Sequence, residues 1–227
     1  MRRHPPGYRG LRLADLAARR SGKSVEVRTR CIAGVSVNLA AVSQARQVVL
    51  VEGRSDEAAL EALARRRGVT LGQDGICVLA MGGATSVSHF LDLLGPSGLN
   101  VALAGLCDAG QEDHVRRALH RSGLDTGTFR TGMEARGFYV CTEDLEDELI
   151  RALGSTAVEQ VIAGQGELRS FRTFQRQPAQ RQQSIWQQLH RFMGTRSGRK
   201  ARYARLLAEA VDLAHVPRPL DCVLRCG

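Results

Sequence analysis

Between residues 46 and 154 the chain alternates short, wholly apolar runs with amphipathic stretches, and nothing else in it constrains the fold as strongly. Val48 to Val51 contains no polar residue and is rich in β-branched side chains, which predicts a strand buried on both faces. Asp56 to Arg67 predicts a helix: Ala59, Leu60, Leu63 and Ala64 recur at helical spacing, and Gly68 stops it. Ile76 to Met81 reads as a second buried strand, closed by Gly82 and Gly83. Thr85 to Leu94 carries Val87, Phe90, Leu91 and Leu94 on one helical face and ends at Gly95 and Pro96. Val101 to Cys107 predicts a third strand, Gln111 to Ser122 a helix, and Phe138 to Cys141 a short fourth strand. Thr142 has the residue type of an N-cap for a helix through Leu153, stopped by Gly154. This order belongs to the α/β class: an open parallel sheet of about four strands with right-handed helical crossovers on both faces.

On either side the pattern changes. Residues 1–45 mix Arg, Gly and Pro with Ala, Val and Ser, and are expected to be poorly ordered. Their Ser21, Gly22, Lys23 and Ser24 look like the end of a phosphate-binding loop, but Ala17 stands where the motif needs glycine, so no ATP site is expected. Residues 155–227 show helical stretches, a Gln- and Arg-rich middle and no strand pattern, and are expected to form a small helical subdomain beside the sheet. Aromatic residues make up only 4% of the chain, so Ala, Leu and Val must fill most of the core. No apolar stretch is long enough to span a bilayer, and no export signal opens the sequence, so a cytoplasmic location without membrane attachment is expected. The six cysteines (31, 77, 107, 141, 222 and 226) form no C-x-x-C pair and read as reduced and structural. His89, His114 and His120 lie on predicted helices with no ligand spacing and read as surface or packing residues.

The formal net charge of +9 points to a polyanionic partner, nucleic acid first among them. The charge is concentrated: Gln165 to Arg205 holds ten Lys or Arg residues against one acid, Glu167. Phe171, Phe174, Trp186, Phe192 and Tyr203 interleave with them. Arginines that neutralise phosphates beside aromatics that stack on bases would suit nucleic acid, and a small aromatic core with a solvated basic face is the competing explanation.

In open α/β sheets ligands sit outside the carboxyl ends of the strands. Glu52 directly follows the first predicted strand and Asp108 the third, while Asp56 lies four residues past Glu52, across Gly53. Carboxylates that converge repel one another and stay ionised where a cation compensates them; hard oxygen donors suit Mg²⁺ or Mn²⁺. Glu52, Asp56 and Asp108 also have a simpler use as helix caps. Asp144, Asp147 and Glu148 share one face of a predicted amphipathic helix, opposite Leu145, Leu149 and Leu153, and read as a solvated acidic face unless that helix abuts the site.

Val49 to Val51 followed by Glu52, Gly53, Ser55 and Asp56, then Met81, Gly82 and Gly83, then Leu106, Cys107 and Asp108, resembles a Toprim domain. The segment Asp144 to Leu149 makes it most similar to the OLD (overcoming lysogenisation defect) nuclease branch. The resemblance implies a Toprim-like metal-binding domain over 46–154 with a basic helical subdomain over 155–227. It implies that Glu52 is a metal ligand and general acid or base, that Asp56 is an additional ligand, and that Asp108 is the first aspartate of a D-x-D pair. The second aspartate of that pair would fall on Gly110, which leaves Glu112, Asp113 and Glu148 as further candidate ligands. Gly82 and Gly83 would bring backbone N–H groups to a phosphate. Lys200, in the loop that opens the last long helix, would assist at the scissile phosphate, and Arg196, Arg199 and Arg202 would contact nucleic acid. The implied function is an Mg²⁺- or Mn²⁺-dependent endonuclease-like phosphodiester hydrolase acting on DNA or another nucleic acid, either with an ATPase supplied by a separate protein or without one. Gly110 motivates the other reading, a non-catalytic nucleic-acid-binding module.

Overall fold

A computed structural model describes residues 29–196 and 198–225; the Ser21–Ser24 motif and Cys226 lie outside them. Four strands, β3 (Gln47–Val51), β4 (Ile76–Ala80), β5 (Ala102–Cys107) and β6 (Phe138–Val140), form one parallel sheet in the order β4-β3-β5-β6. β3 connects outward to β4, whereas β5 and β6 extend the sheet the other way. The order therefore reverses between β3 and β5, and the crevice beyond their carboxyl ends is where such a sheet binds ligands.

The side-chain period of two sorts each strand between two cores. Val48 and Leu50 face one layer with α3 (Val87–Leu94), α4 (Glu112–Arg121) and the short α5 (Arg130–Glu134). Val49 and Val51 face the other, which holds α2 (Arg54–Arg66), α6 (Leu145–Leu153), α7 (Ser155–Gly164), α8 (Leu168–Gln175), α9 (Ile185–Gly194), α10 (Arg199–Ala210) and α11 (Arg218–Arg225). The C-terminal helices thus share a continuous core with the sheet. Within it Phe171 and Phe192 meet edge to face at 5.1 Å between ring centroids, with Phe174 and Tyr203 beside them. These four aromatics are core, not a base-stacking surface; Trp186 keeps 39% of its surface exposed.

Helix α10 lies along α2 and runs parallel to it. The Lys200 charge acts on Asp56 at the start of α2, and at the other end Arg66 Nη1 donates to the carbonyls of Ala208, at 2.9 Å, and Val211. Small buried residues, Ala59 and Ala62 on one helix and Ala204 and Ala208 on the other, suit a close approach. Both N-termini therefore point toward the crevice.

The expectation of a poorly ordered segment over 1–45 does not hold for residues 29–44. Strands β1 (Thr29–Ile32) and β2 (Val35–Asn38) form an antiparallel hairpin whose two loop residues, Ala33 and Gly34, have φ of 47° and 84°, the sign pattern of a tight type I′ turn. Helix α1 (Leu39–Gln44) follows, capped by Asn38, and Val37 and Val42 are fully buried in the core that holds Val48 and Leu50. Two smaller expectations are corrected as well. Helix α6 is capped by Asp144, whose side chain accepts from Asp147 N–H at 2.8 Å, and not by Thr142. A 3-10 turn over Ala84–Ser86 precedes α3.

Gly105 shows how tightly β5 is held. A Cβ there would stand 2.8 Å from two ring atoms of Phe138, itself 3% exposed, and 3.0 Å from the Leu50 carbonyl oxygen. Gly105→Ala is expected to destabilise the fold by about 1–3 kcal/mol. Urea denaturation measures this, and an unchanged midpoint would contradict it.

Candidate metal centre

Glu52 and Asp108 emerge at the carboxyl ends of the adjacent strands β3 and β5, both half-buried. The Glu52 carbonyl accepts from Gly83 N–H at 3.0 Å, which ties the β3 end to the glycine turn after β4. Asp56, 9% exposed, turns back from the first turn of α2 and accepts from Gly53 N–H at 2.8 Å through Oδ2. It is therefore a helix-capping residue by geometry, and its buried carboxyl also borders the crevice. Burial is the largest influence raising the Asp108 pKa to about 7, and the charges of Glu52, Asp144 and Asp56 add to it. Burial likewise raises Asp56 to about 6; Glu146 and Glu52 push the same way, against the Gly53 N–H and Lys200.

The turn after β6 brings a second group of ionisable side chains to the same crevice. Backbone bonds from Cys141 N–H to the Cys107 carbonyl (2.9 Å) and from Ala109 N–H to the Glu143 carbonyl (3.2 Å) hold this turn against the end of β5. Asp144 and Glu146 follow, and His190 on α9 places Nε2 2.6 Å from Asp144 Oδ2. Burial raises the Asp144 pKa, but the bonds to His190 and Asp147 N–H outweigh it and hold the carboxyl below its ordinary value. The same bond to Asp144, opposed by burial, raises His190. Glu146 is 1% exposed, and burial raises its pKa. Lys200 Nζ stands 3.2 Å from Glu146 Oε2. Burial disfavours the Lys200 ammonium, but Glu146, Asp144 and Asp56 outweigh it and keep its pKa above that of free lysine.

One donor atom from each of Asp144, Glu146 and His190 lies within 4.8 Å of the others. Sequence reasoning missed this group. In a helix, positions i and i+2 face apart, but Asp144 is the N-cap and has extended φ and ψ of −141° and 178°, which frees its side chain from the helical period. His190 carries no local signal, because its partner lies 46 positions away.

Other expected site residues are engaged elsewhere. Glu112 pairs with Arg130 at 2.8 Å, and Asp113 pairs with Arg116 on the exposed face of α4. Glu148 accepts from Thr142 N–H at 2.7 Å and pairs with Arg151 at 3.0 Å. Gly83 spends its N–H on Glu52, and Gly82 packs beneath the hairpin, where a Cβ would stand 3.0 Å from Val35. Arg199 is 5% exposed, stacks 4.3 Å from the Phe192 ring centroid and pairs with Glu167 at 3.3 Å, so it is an internal residue. Arg202 pairs with the same Glu167 at 2.6 Å, whereas Arg196 is exposed. At Gly110 a Cβ would meet nothing within 4 Å. The glycine leaves open the space beside it, and the charge of Asp144, beyond the neighbouring strand β6, acts on Asp108.

Burial makes ionised Asp108 oppose folding. Its pKa is higher folded than unfolded, so the stability associated with it is complete below about pH 4 and is lost as pH rises through about 7. Asp108→Asn is accordingly expected to raise the melting temperature of metal-free protein at pH 8 by about 2–4 °C, a modest figure because the carboxyl is only partly buried. The gain should vanish toward pH 4. Calorimetric scans at both pH values test this, and an equal gain at pH 4 and pH 8 would contradict it.

Residues 45–109 match the family described as overcoming lysogenization defect protein-like, TOPRIM domain. The chain is similar to the solved C-terminal region of the Xanthomonas campestris pv. campestris OLD protein. The structure phased with iodine shares 26% identity over 80% of this chain and 93% of that one, with a TM-score of 0.58. The structure phased with platinum gives 26% identity, 82% and 93% coverage, and a TM-score of 0.60. The C-terminal region of the Burkholderia pseudomallei OLD protein, at 23% identity, 80% and 96% coverage and a TM-score of 0.58, shares the fold. No curated protein matches the chain.

Proposed function

We propose that this chain, which carries an OLD-like Toprim domain on its parallel sheet, is a metal-dependent, endonuclease-like phosphodiester hydrolase acting on DNA. One observation carries the reading: Glu52, Asp56 and Asp108 meet Asp144 and Glu146 across a single crevice, and their charges act on one another there. The donor set is oxygen-rich and over-supplied with negative charge, which fits Mg²⁺ or Mn²⁺. Glu52 and Asp108 would hold such a cation, with Asp56 bracing the turn beneath them. When bound, the cation supplies Lewis-acid polarisation of a phosphoryl oxygen and a more acidic water. Cooperation with an ATPase, implied by the family resemblance, belongs to the same proposal.

The chain's own residues account for the rest of the proposed chemistry. Lys200 brings a firmly protonated ammonium to the crevice from the N-terminus of α10, where negative charge developing on a phosphoryl group would be stabilised. A cleft of about 340 Å³ beside Glu52, lined by Gly34, Val35, Arg54 and Gly82, offers room for a strand of substrate between the hairpin and the start of α2. On the C-terminal helices, a groove of about 450 Å³ between Arg169 and Arg196 also carries Ser170, Thr173, Gln177 and Thr195. Neither arginine has an ion pair among the described residues; Arg199 lines the same groove, and with the exposed Arg202 they form the basic surface proposed to contact nucleic acid.

Incubation with supercoiled plasmid tests the proposal. Nicking is expected with Mg²⁺ or Mn²⁺, not with EDTA, and is expected to be abolished by Glu52→Ala and by Asp108→Ala. DNA binding without nicking in every condition would overturn it in favour of a non-catalytic binding module. Lys200→Met is expected to cut about 100-fold more slowly while binding Mg²⁺ at least as tightly as the wild type, because the ammonium that acts on Asp108 and Asp56 no longer opposes a second cation in the crevice. Calorimetry beside the cleavage assay separates the two effects, and loss of both together would contradict the assigned role.

A further inference from the structure

Four of the five aromatics in the basic C-terminal run are core residues; the fifth, Trp186 on α9, keeps 39% of its surface exposed. Helix α9 buries Gln188, Leu189, Phe192 and Met193. Its opposite face carries Trp186, Gln187, His190 and Arg191, which recur at helical spacing and stay at least partly open to solvent. His190 fixes where this face leads. Its Nε2 lies 2.6 Å from Asp144 Oδ2, and the charge of Asp144 acts on Asp108 in the crevice. Trp186 precedes His190 by four residues, so the indole stands one helical turn, about 6 Å of rise, from the side chain at the crevice wall. Its position is rigid. Ser184 and Gln187 close a capping box, and Gln188 Nε2 donates to the Gln180 and Gln183 carbonyls at 2.8 and 3.1 Å, which pins the first turn of α9.

The surroundings of the indole suit a polyanion. No Asp or Glu occurs between Leu168 and Ala208, and Arg191, on the same face as Trp186, has no ion pair or hydrogen bond among the described residues. No other large apolar side chain is exposed on α9. A lone indole among Gln187, His190 and Arg191 fits a nucleotide strand better than the apolar patch of a protein partner. We infer that Trp186 is a base-stacking residue: it takes an unpaired base of a DNA strand whose phosphates pass Arg191 and His190 on the way to the crevice. Stacking on an indole is indifferent to base identity, but it needs the base out of the duplex. The inference rests on the nucleic-acid part of the proposed function and names its substrate class, DNA with unpaired bases roughly two nucleotides from the crevice wall.

Trp186 is the single tryptophan of the chain, so its fluorescence reports this contact alone. Titrating the full chain with oligothymidylate in EDTA, which stops metal-dependent cleavage, is expected to quench it. Trp186→Ala is expected to bind an end-labelled oligothymidylate about 5- to 100-fold more weakly by fluorescence anisotropy, while a fully paired duplex of the same length binds both proteins alike. Trp186→Phe keeps an aromatic face and is expected to recover most of the affinity, which separates lost stacking from a disturbed fold. Fluorescence unchanged at saturating oligothymidylate, or equal weakening of single-stranded and duplex binding in Trp186→Ala, would overturn the inference. Quenching that follows protein concentration and not DNA would overturn it too, and would assign the indole to a contact between copies of the chain. These measurements need no metal and no cut strand, so plasmid nicking tests the hydrolase reading separately. Wild-type protein that binds neither DNA would overturn this inference and the DNA reading together.

Discussion

Like-charge repulsion at the carboxyl edge of the sheet is the constraint around which the rest of the molecule is arranged. Glu52, Asp56, Asp108, Asp144 and Glu146 come from β3, α2, β5 and the turn after β6, and Lys200 is the lysine set against them. Carboxylates so placed would separate or neutralise in a flexible chain. Here the strand ends are tied by backbone bonds from Gly83 N–H to the Glu52 carbonyl and from Ala109 N–H to the Glu143 carbonyl, and the Asp56 carboxylate accepts from Gly53 N–H. Burial first, and then the charges of their neighbours, raise the pKa values of Asp56 and Asp108 at this edge.

The fold makes such fixing feasible. Parallel pairing aligns the ends of β3 and β5, so the residues that follow them meet at the point where strand order reverses. The parallel packing of α2 and α10 turns two helix N-termini toward the same crevice, and their dipoles favour negative charge there. Alanines on the faces of both helices suit that closeness, which explains how a chain with so few aromatics builds a dense core. The scarce aromatics are concentrated where α8, α9 and α10 meet, and they seat the helix that bears His190.

The parts of this arrangement that were legible in the sequence are those set by local periodicity. Apolar runs placed the four sheet strands, and strand-end position singled out Glu52 and Asp108. Asp144 was harder to see, because helical periodicity assigned it to a solvated face, and only its extended N-cap geometry turns it to the crevice. His190 is joined to Asp144 by tertiary packing alone. Arg199 belongs to a basic run and reads as exposed, yet it is buried against Phe192 and Glu167. The β1–β2 hairpin was missed because Thr29–Asn38 has no continuous apolar run, and its register rests on the Ala33–Gly34 turn.

The central claim is that these carboxylates await a divalent cation, and proton release on metal binding tests it most directly. With Asp56 at about 6 and Asp108 at about 7, both carboxyls are partly protonated in slightly acidic solution; Asp108 must lose its proton to hold a cation, and the positive charge beside Asp56 favours its ionised form. Titrating weakly buffered protein with Mg²⁺ should release on the order of one proton per chain at pH 6.5 and far less at pH 8.5, with Asp108→Asn reducing the release. Metal binding that releases no protons at pH 6.5, or a release unaffected by Asp108→Asn, would contradict the account.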